Sequence, residues 1–381
     1  MPTTRAAEKA SAAKDGHVGD ESEAAGSKRQ AQEKVPPSKR AKTDDHKEHH
    51  VTEEKKPAAG NGHKRRKSKE EPKASKVKKE DATEGQEQKN DTAIEPDARQ
   101  GTVPTNILEK GIIYFFFRGR VGVEDPSNVD EIQRSYMILR PLNKDAKLGE
   151  GTIPDLGNSR LIAVPKKVFP RSGRDRWIAF VEKSHASLDT LKESFLSSTD
   201  YETKTVGTRH APAATPAAEG IYAITTTGRE SHLAYVITLP SEFGEVQDEL
   251  GLRQKGSFII STRNPQYEAP RGTRLPKGPD YPKEVHDEFR GLRWMPSQPN
   301  HLDYANTQFL LIGESSGIEK ATAPPKEDKE KDEKEKPVEE LEKLEDEDTH
   351  RMEGLEGDDS VAIFDDLGAL AQDYPKLKTS F

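Results

Sequence analysis

Between Met1 and Ala93 this 381-residue chain contains no Phe, Tyr, Trp, Leu or Ile. Ordering a residue costs about 1–2 kcal/mol of backbone entropy, and burial of large apolar side chains is what offsets that cost. A stretch without such side chains cannot build a packed core. Because the composition changes abruptly at Val103 and Pro104, we predict that residues 1–103 form a disordered arm.

Charge divides the rest of the chain. Residues 101–319 are near neutral, with 27 Lys/Arg and 28 Asp/Glu, whereas residues 320–381 carry 10 Lys/Arg and 20 Asp/Glu. A middle part of about 210 residues is long enough for one domain with its own core. We therefore predict a globular domain over 104–318. A charged linker with weak helical periodicity follows over 319–357, and an acidic amphipathic segment over 358–381.

The predicted domain is dominated by short apolar runs that Gly and Pro separate, a pattern typical of strands. Ile112 to Phe117 is apolar at every position, which indicates a strand covered on both faces. The predicted strands are Gly111–Arg118, Ser135–Arg140, Arg160–Pro165, Arg176–Glu182, Gly220–Thr226, His232–Leu239, Ser257–Thr262 and Thr307–Ile312. The predicted helices are Ser187–Leu196, Ser241–Leu250 and Pro282–Phe289. This pattern predicts an α+β, mainly β domain with two or three short helices.

The sequence lacks the residues that several kinds of catalytic and metal-binding site require. The chain has no cysteine, which excludes disulfides, Cys-based zinc sites, iron–sulfur clusters and thiol nucleophiles. HExxH, P-loop and dinucleotide-binding patterns are absent from the sequence. Gly313 to Gly317 has the spacing of a nucleophile elbow, but a proline pair and a charged arm follow where that motif needs a helix. We predict no catalytic, cofactor-binding or metal-binding residues.

The sequence also lacks the signals of membrane insertion and secretion. Its longest strongly apolar run has six residues, from Ile112 to Phe117, against the roughly 18–20 that a membrane span needs. Charged residues occupy the N-terminus where a signal peptide needs an apolar run. We expect a soluble intracellular protein that does not bind membranes.

Two compact basic clusters lie in the N-terminal arm. Nuclear import receptors hold exposed, extended runs of Lys and Arg, and a disordered arm meets that requirement. The predicted import residues are Lys28, Arg29, Lys39, Arg40, Lys42, Lys64, Arg65, Arg66 and Lys67. We therefore expect a nuclear protein that binds an import receptor. Weak, non-specific contact with nucleic acid is a second role open to this arm, because phosphate neutralisation releases counterions.

An apolar stripe runs through the acidic C-terminal segment. Phe364, Leu367, Leu370 and Tyr374 recur at intervals of three and four, so a helix that starts at Asp359 or Ser360 would carry them on one face. Acidic segments of this kind bind the grooves of coactivator-type proteins. Docking of the same helix on the chain's own β-rich domain is an equal alternative.

Five strings carry a resemblance to a known family. They are Gly111–Glu124, Arg134–Pro141, Ser231–Pro240, Gly244–Gln247 and Leu302–Ala305. Over about residues 104–318 the chain resembles an uncharacterised domain of fungi and bacteria, whose fungal members are often labelled "BTB domain transcription factor". The resemblance implies a role in transcription and assigns no catalytic residues.

Together these features predict a nuclear, non-enzymatic interaction protein of transcription or chromatin, which binds partners through its arms and its β-rich domain. The alternative belongs to another class of function. In that alternative the domain is an enzyme or a small-ligand-binding module of unrecognised chemistry, and the arms serve only for localisation.

Overall fold

The computed structural model describes residues 93–203, 207–269, 275–323 and 336–381. The strands are β1 (Ile94–Glu95), β2 (Ile107–Gly119), β3 (Ile132–Leu142), β4 (Lys147–Leu148), β5 (Ser159–Val164), β6 (Arg176–Ala186), β7 (Thr199–Thr203), β8 (Gly207–Ala211), β9 (Thr215–Thr226), β10 (Ser231–Leu239), β11 (Lys255–Arg263), β12 (Trp294–Pro296) and β13 (Gln308–Gly313). The α-helices are α1 (Leu188–Leu191), α2 (Glu245–Leu250), α3 (Lys283–Glu288), α4 (Pro337–Glu353) and α5 (Asp359–Asp366). Within the described ranges, no helix has both the length and the apolar character that a membrane span requires.

Eight antiparallel strands form a closed barrel. Their order around the barrel is β10, β9, β2, β3, β5, β6, β13 and β11, and a pairing between β11 and β10 closes the ring. On β2, Tyr114 lies opposite Ile138 of β3 on one edge and opposite Glu219 of β9 on the other. The short β12 extends the pairing of β11, and β7 and β8 form a separate hairpin. The predicted mainly β fold class is confirmed, and the eight predicted strands are the eight strands of the barrel.

Side chains on each barrel strand alternate between the interior and the outer surface. On β2, Ile113 and Phe115 belong to an interior cluster, and Tyr114 and Phe116 belong to an outer cluster. The interior cluster draws members from all eight barrel strands. An eight-stranded barrel is just wide enough for such side chains to fill it. The apolar run in β2 is therefore double-sided because it separates two cores.

The predicted helices are present within narrower bounds. Ser187 caps α1 by accepting a hydrogen bond from the backbone N–H of Thr190, and a π-helical turn over Lys192–Leu196 continues the helix. Gly251 ends α2 with a φ of 84°, in the left-handed region that favours glycine. These short helices cover the ends and sides of the barrel and do not alternate with its strands.

The outer cluster lies between the barrel wall and residues 336–381, which we call the C-terminal segment. Its helix α4 packs on β9 and β10 and buries Leu341, Leu344 and Met352. Residues before the predicted boundary at 104 are also part of the fold, since Ala93 is fully buried in the same cluster. The described residues from 93 onwards thus belong to one compact unit, which joins parts that the predicted boundaries at 103 and 318 separate.

Candidate functional site

The residues predicted to direct nuclear import, from Lys28 to Lys67, lie outside the described residues. The residues predicted to bind a partner lie within them, in and after α5. Asp358 begins this helix by accepting hydrogen bonds from the backbone N–H groups of Ser360 and Val361. A carboxylate in this position also interacts favourably with the helix dipole.

The predicted apolar stripe is divided by the end of α5. Phe364 and Leu367 are buried in the outer cluster, whereas Leu370 is 62% exposed. Gly368, with a φ of 64°, takes the chain off its helical path, so Leu370 no longer shares the face of the two buried residues. Tyr374 is half-buried and stacks on Phe364 with ring centroids 5.0 Å apart.

This geometry corresponds to the alternative in which the C-terminal helix docks on the chain's own β-rich domain. Phe364 and Leu367 contact the barrel's outer cluster, and only Leu370 of the stripe is largely open to solvent. A partner groove could bury the two docked side chains only after α5 has left the barrel wall. Partner binding by the stripe stays a prediction, and it now requires a release step.

Beneath the C-terminal segment lies a group of ionisable side chains that sequence analysis missed. We call it the buried charge cluster, and it is formed by Tyr114, Arg140, Glu219, Asp348, Arg351 and Asp366. Tyr114, Arg140 and Glu219 come from the barrel, Asp348 and Arg351 from α4, and Asp366 from α5. All six side chains are removed from solvent, with Arg140 the most exposed at 3%. The cluster therefore ties three elements together at their common boundary.

Asp366 is the acceptor at one end of the cluster. Its carboxylate accepts hydrogen bonds from Arg140 and Arg351, each over 3.0 Å, and from the backbone N–H of Ile153 over 2.8 Å. The hydroxyl of Tyr114 donates a further hydrogen bond. Burial opposes the charge of Asp366, but the two arginines and these hydrogen bonds lower its pKa below the ordinary value. Asp366 is therefore ionised.

Arg351 is the donor at the centre. Its guanidinium donates to Asp348 over 2.7 Å, to Glu219 over 3.0 Å and to Asp366 over 3.0 Å. An arginine stays protonated in proteins and presents five N–H donors in a planar fork, so one guanidinium can hold all three carboxyl groups. One side chain of α4 thereby connects the barrel with α5.

The cluster contains more carboxyl groups than cations. Two arginines face the carboxyl groups of Glu219, Asp348 and Asp366. Burial, and then the nearby charge of Asp348, raise the pKa of Glu219 well above its ordinary value of 4.5. Its Oε2 atom has no hydrogen-bond partner among the described residues. We assign the balancing proton to Glu219, which leaves the cluster without net charge.

A second set of ion pairs fixes the other end of α4. Glu340 accepts a hydrogen bond from Lys110 of β2 over 2.7 Å and another from Arg99, and Arg99 also pairs with Glu347. Lys110 is fully buried, and this burial lowers its pKa. The acidic side chains of α4 are therefore attachment points for the barrel as well as solvated charges.

At one end of the barrel interior, Arg160 holds two carboxylates. It donates to Glu109 over 2.6 and 2.9 Å and to Asp303 over 2.7 and 2.9 Å. Tyr222 donates to Glu109 over 2.7 Å, and burial raises the pKa of that tyrosine. The groups satisfy one another, so this arrangement serves the closure of the barrel end.

Two buried histidines are likewise paired. The backbone N–H of Gln298 donates to Nδ1 of His301, so Nε2 carries the proton and donates to Glu288 over 2.9 Å. Burial lowers the pKa of His301, and its bond with Glu288 opposes that effect. The ring of His301 therefore stays neutral and fixes the turn over Pro299–Asp303.

His232 lies with its Nδ1 2.9 Å from Glu314, which also accepts a hydrogen bond from the Ser257 hydroxyl over 2.6 Å. Burial opposes the charge of Glu314, but these hydrogen bonds lower its pKa to about 2. Glu314 is the second residue of the stretch with elbow-like spacing. Because Ser257 donates to a carboxylate and not to an imidazole, this triad does not activate a serine in the manner of a hydrolase.

The sequence signal for the buried charge cluster is a charged residue directly next to an apolar run. Arg140 ends the run Met137 to Leu139, and Glu219 precedes the run from Gly220 to Thr226. Buried charges in proteins are almost always paired. The charged partners of these two residues, Asp366 for Arg140 and Arg351 for Glu219, lie more than one hundred residues away in the chain, so spacing could not identify them.

In the described part of the chain, no group of three or more His, Cys, Asp or Glu side chains is arranged to hold a metal ion. Comparisons of the chain with protein-family models, curated proteins and solved structures found no match.

Proposed function

We propose that this chain is a nuclear, non-enzymatic interaction protein of transcription or chromatin, and that partners capture its acidic C-terminal segment. One observation carries the proposal: the segment forms a separate layer outside a barrel that closes without it. Each barrel strand is paired on both edges by other barrel strands. The segment can therefore leave its wall while the ring of strands stays hydrogen-bonded.

The connection to the segment supports such a release. Residues 324–335 consist only of Pro, Lys, Glu and Asp, so they have no apolar side chains to bury against the barrel. The segment that follows combines Phe364 and Leu367 with surrounding carboxylates. An apolar stripe among acidic residues is the chemistry that coactivator-type grooves recognise.

Because side chains fill the barrel interior, the barrel is suited to bind partners through its outer surface. Its interior cluster uses side chains from all eight strands, and Arg160 with its carboxylate partners occupies one end. Recognition by the barrel therefore falls to its outer faces and to the layers that lie on them. The two basic clusters of the N-terminal arm, from Lys28 to Lys67, support the nuclear location, and the family label supports transcription.

A tethered reporter assay on the full-length chain tests the proposal with two variants that both weaken docking. Arg351→Met removes the central donor of the buried charge cluster and leaves the apolar stripe intact. We expect it to raise reporter activity, because the segment is then free more often. The double change Phe364→Ala and Leu367→Ala also weakens docking but removes the stripe, and we expect activity to fall to background.

The opposite directions of these two effects are the decisive result. If the segment only stabilised the barrel, both variants would change the reporter in the same direction. Leu156→Ala, at a side chain that is 50% exposed, is the control and leaves activity unchanged. Protein levels and nuclear location of all variants are measured in parallel.

A further inference from the structure

On the arc of the barrel formed by β6, β13 and β11, Ala186 at the end of β6 belongs to the outer cluster, and Lys255 at the start of β11 pairs with Glu345 of α4. The outward positions between these two ends lie outside the outer cluster. Inward positions on this arc, such as Ala179 and Phe309, belong to the interior cluster. Outward positions carry five large apolar side chains, which we call the apolar face. They are Ile178, Phe180, Ile259, Leu310 and Ile312. All five are only half-buried, and among the described residues none belongs to either core cluster.

The register of the strands makes this face continuous. Ile178 of β6 lies opposite Leu310 of β13, and Ile312 of β13 lies opposite Ile259 of β11. When water covers the outer face of an antiparallel sheet, apolar inward residues normally alternate along each strand with polar outward residues. A contiguous group of apolar side chains instead marks a surface that another molecule covers.

The chain's own remaining segments lack the side chains to cover this face. The residues outside the described ranges are 1–92, 204–206, 270–274 and 324–335, and they contain no Phe, Tyr, Trp, Leu or Ile. Covering five large apolar side chains requires apolar area on the opposing surface. The occupant therefore comes from another molecule.

Charges at the two ends of β6 indicate which molecule that is. Arg176 is exposed at one end of the outer face, and Glu182, 38% exposed, lies at the other end with the apolar residues between them. If two copies pack face to face about a two-fold axis that is perpendicular to β6 and passes over its middle, their β6 strands run antiparallel. Each Arg176 then meets the Glu182 of the other copy, and each apolar group meets its own counterpart.

We propose that a second copy of this chain covers the apolar face and forms a two-fold symmetric dimer. Such an interface is isologous, so one patch supplies both the apolar centre and the complementary charged ends. Two sheets that pack face to face keep their strands within about 30° of each other, which keeps the charged ends in register. This dimer goes beyond the proposed function and does not depend on release of the C-terminal segment.

The mass of the full-length protein in solution tests this proposal. Sedimentation or light scattering from about 1 to about 100 µM covers the range in which moderate interfaces dissociate. We expect twice the 42.4 kDa of one chain at the upper end. Phe180→Asp should weaken the dimer at least tenfold, whereas Leu156→Asp, at an exposed leucine outside the face, should leave it unchanged. A monomer at every concentration, or a dimer indifferent to Phe180→Asp, overturns the proposal.

A charge-reversal series tests the symmetry itself. Arg176→Glu and Glu182→Arg each place like charges against each other and should each weaken the dimer about tenfold. The double variant restores opposite charges at both ends and should recover most of the affinity. Glu182 also lies 3.4 Å from Arg134 of its own chain, so Arg134→Gln serves as a control and leaves the mass unchanged. Failure of the double variant to recover excludes this two-fold arrangement.

Discussion

The guanidinium of Arg351 in α4 lies 3.0 Å from the carboxylate of Asp366 in α5, and both side chains are fully buried. The same guanidinium reaches Glu219 on the barrel, so a single side chain fixes two helices and one wall. Removing one partner of a buried ion pair leaves the remaining charges without a partner and without solvent. Loss of Arg351 should therefore destabilise the C-terminal segment.

Arg351→Met leaves three carboxyl groups without their shared donor. We expect it to lower the free energy of unfolding of the C-terminal layer by about 3–5 kcal/mol, since uncompensated buried charges remain. Urea denaturation and hydrogen exchange in α4 and α5 measure this change. The neighbouring exposed side chain gives the control, because His350→Ala should shift stability by no more than about 0.5 kcal/mol. Equal effects of the two changes would contradict the role assigned to Arg351.

The proton on Glu219 makes stability depend on pH. A carboxyl group whose pKa is raised in the folded state stabilises the fold fully below its unfolded pKa, near 4.5, and this stabilisation is lost as pH rises through the folded value. Glu219→Gln keeps the neutral form at every pH. We expect the variant to gain stability over the native chain as pH rises above 4.5, measured by urea midpoints between about pH 5 and 9. If the stability of the variant and of the native chain changed in the same way with pH, Glu219 would not carry the proton.

Substitutions in the buried part of the predicted stripe should destabilise the protein, whereas a substitution in its exposed part should not. Phe364→Ala and Leu367→Ala each delete a side chain that is buried against the barrel, and each should cost about 2–5 kcal/mol. Leu370→Ala changes a side chain that is 62% exposed, so its melting temperature should stay close to that of the native chain. If Leu370→Ala nevertheless lowers reporter activity, Leu370 contacts the partner.

Limited proteolysis should cut within residues 1–92 and 324–335, where the sequence offers many Lys and no large apolar residue. Because α4 and α5 are held by the outer cluster and by buried ion pairs, we expect residues 336–381 to stay bound to the barrel after the cut. Native mass spectrometry detects the nicked complex. Loss of the C-terminal fragment under native conditions would mean that the layer is held weakly.

The basic clusters are tested by localisation. Alanine at Lys39, Arg40 and Lys42, combined with alanine at the cluster Lys64 to Lys67, should move a tagged protein towards the cytoplasm. The control replaces an equal number of isolated lysines in the same arm, which lowers the charge equally and leaves both clusters intact. Fluorescence microscopy gives the nuclear fraction. If both variants moved to the cytoplasm equally, the nuclear location would depend on the net charge of the arm and not on the two clusters.

The barrel strands could be predicted from sequence because each carries its own signal, a short apolar run between turn residues. Their closure could not. Pairing of β10 with β11 and of β2 with β9 depends on contacts between strands, and no single run encodes its neighbour. The sequence therefore predicts which residues form strands, but it does not predict which strands pair or that they close into a barrel.

The C-terminal helix α4 shows why charged residues mislead. Its sequence is dominated by Glu and Asp, which is typical of a solvated helix, yet Glu340, Asp348 and Arg351 are buried. Each of them is paired with a barrel residue or with a neighbour that is itself paired with the barrel. A sequence shows the charge of a side chain, whereas its burial depends on a partner that folding brings from elsewhere.

The position of β13 in the ring sets the order of events during synthesis. This strand joins β6 to β11, so the ring stays open until residues 308–313 have left the ribosome. At about 5–20 residues per second, the nascent chain carries unpaired strands with apolar faces for many seconds. The yield of folded protein should therefore depend on translation speed and on chaperones that shield these apolar faces.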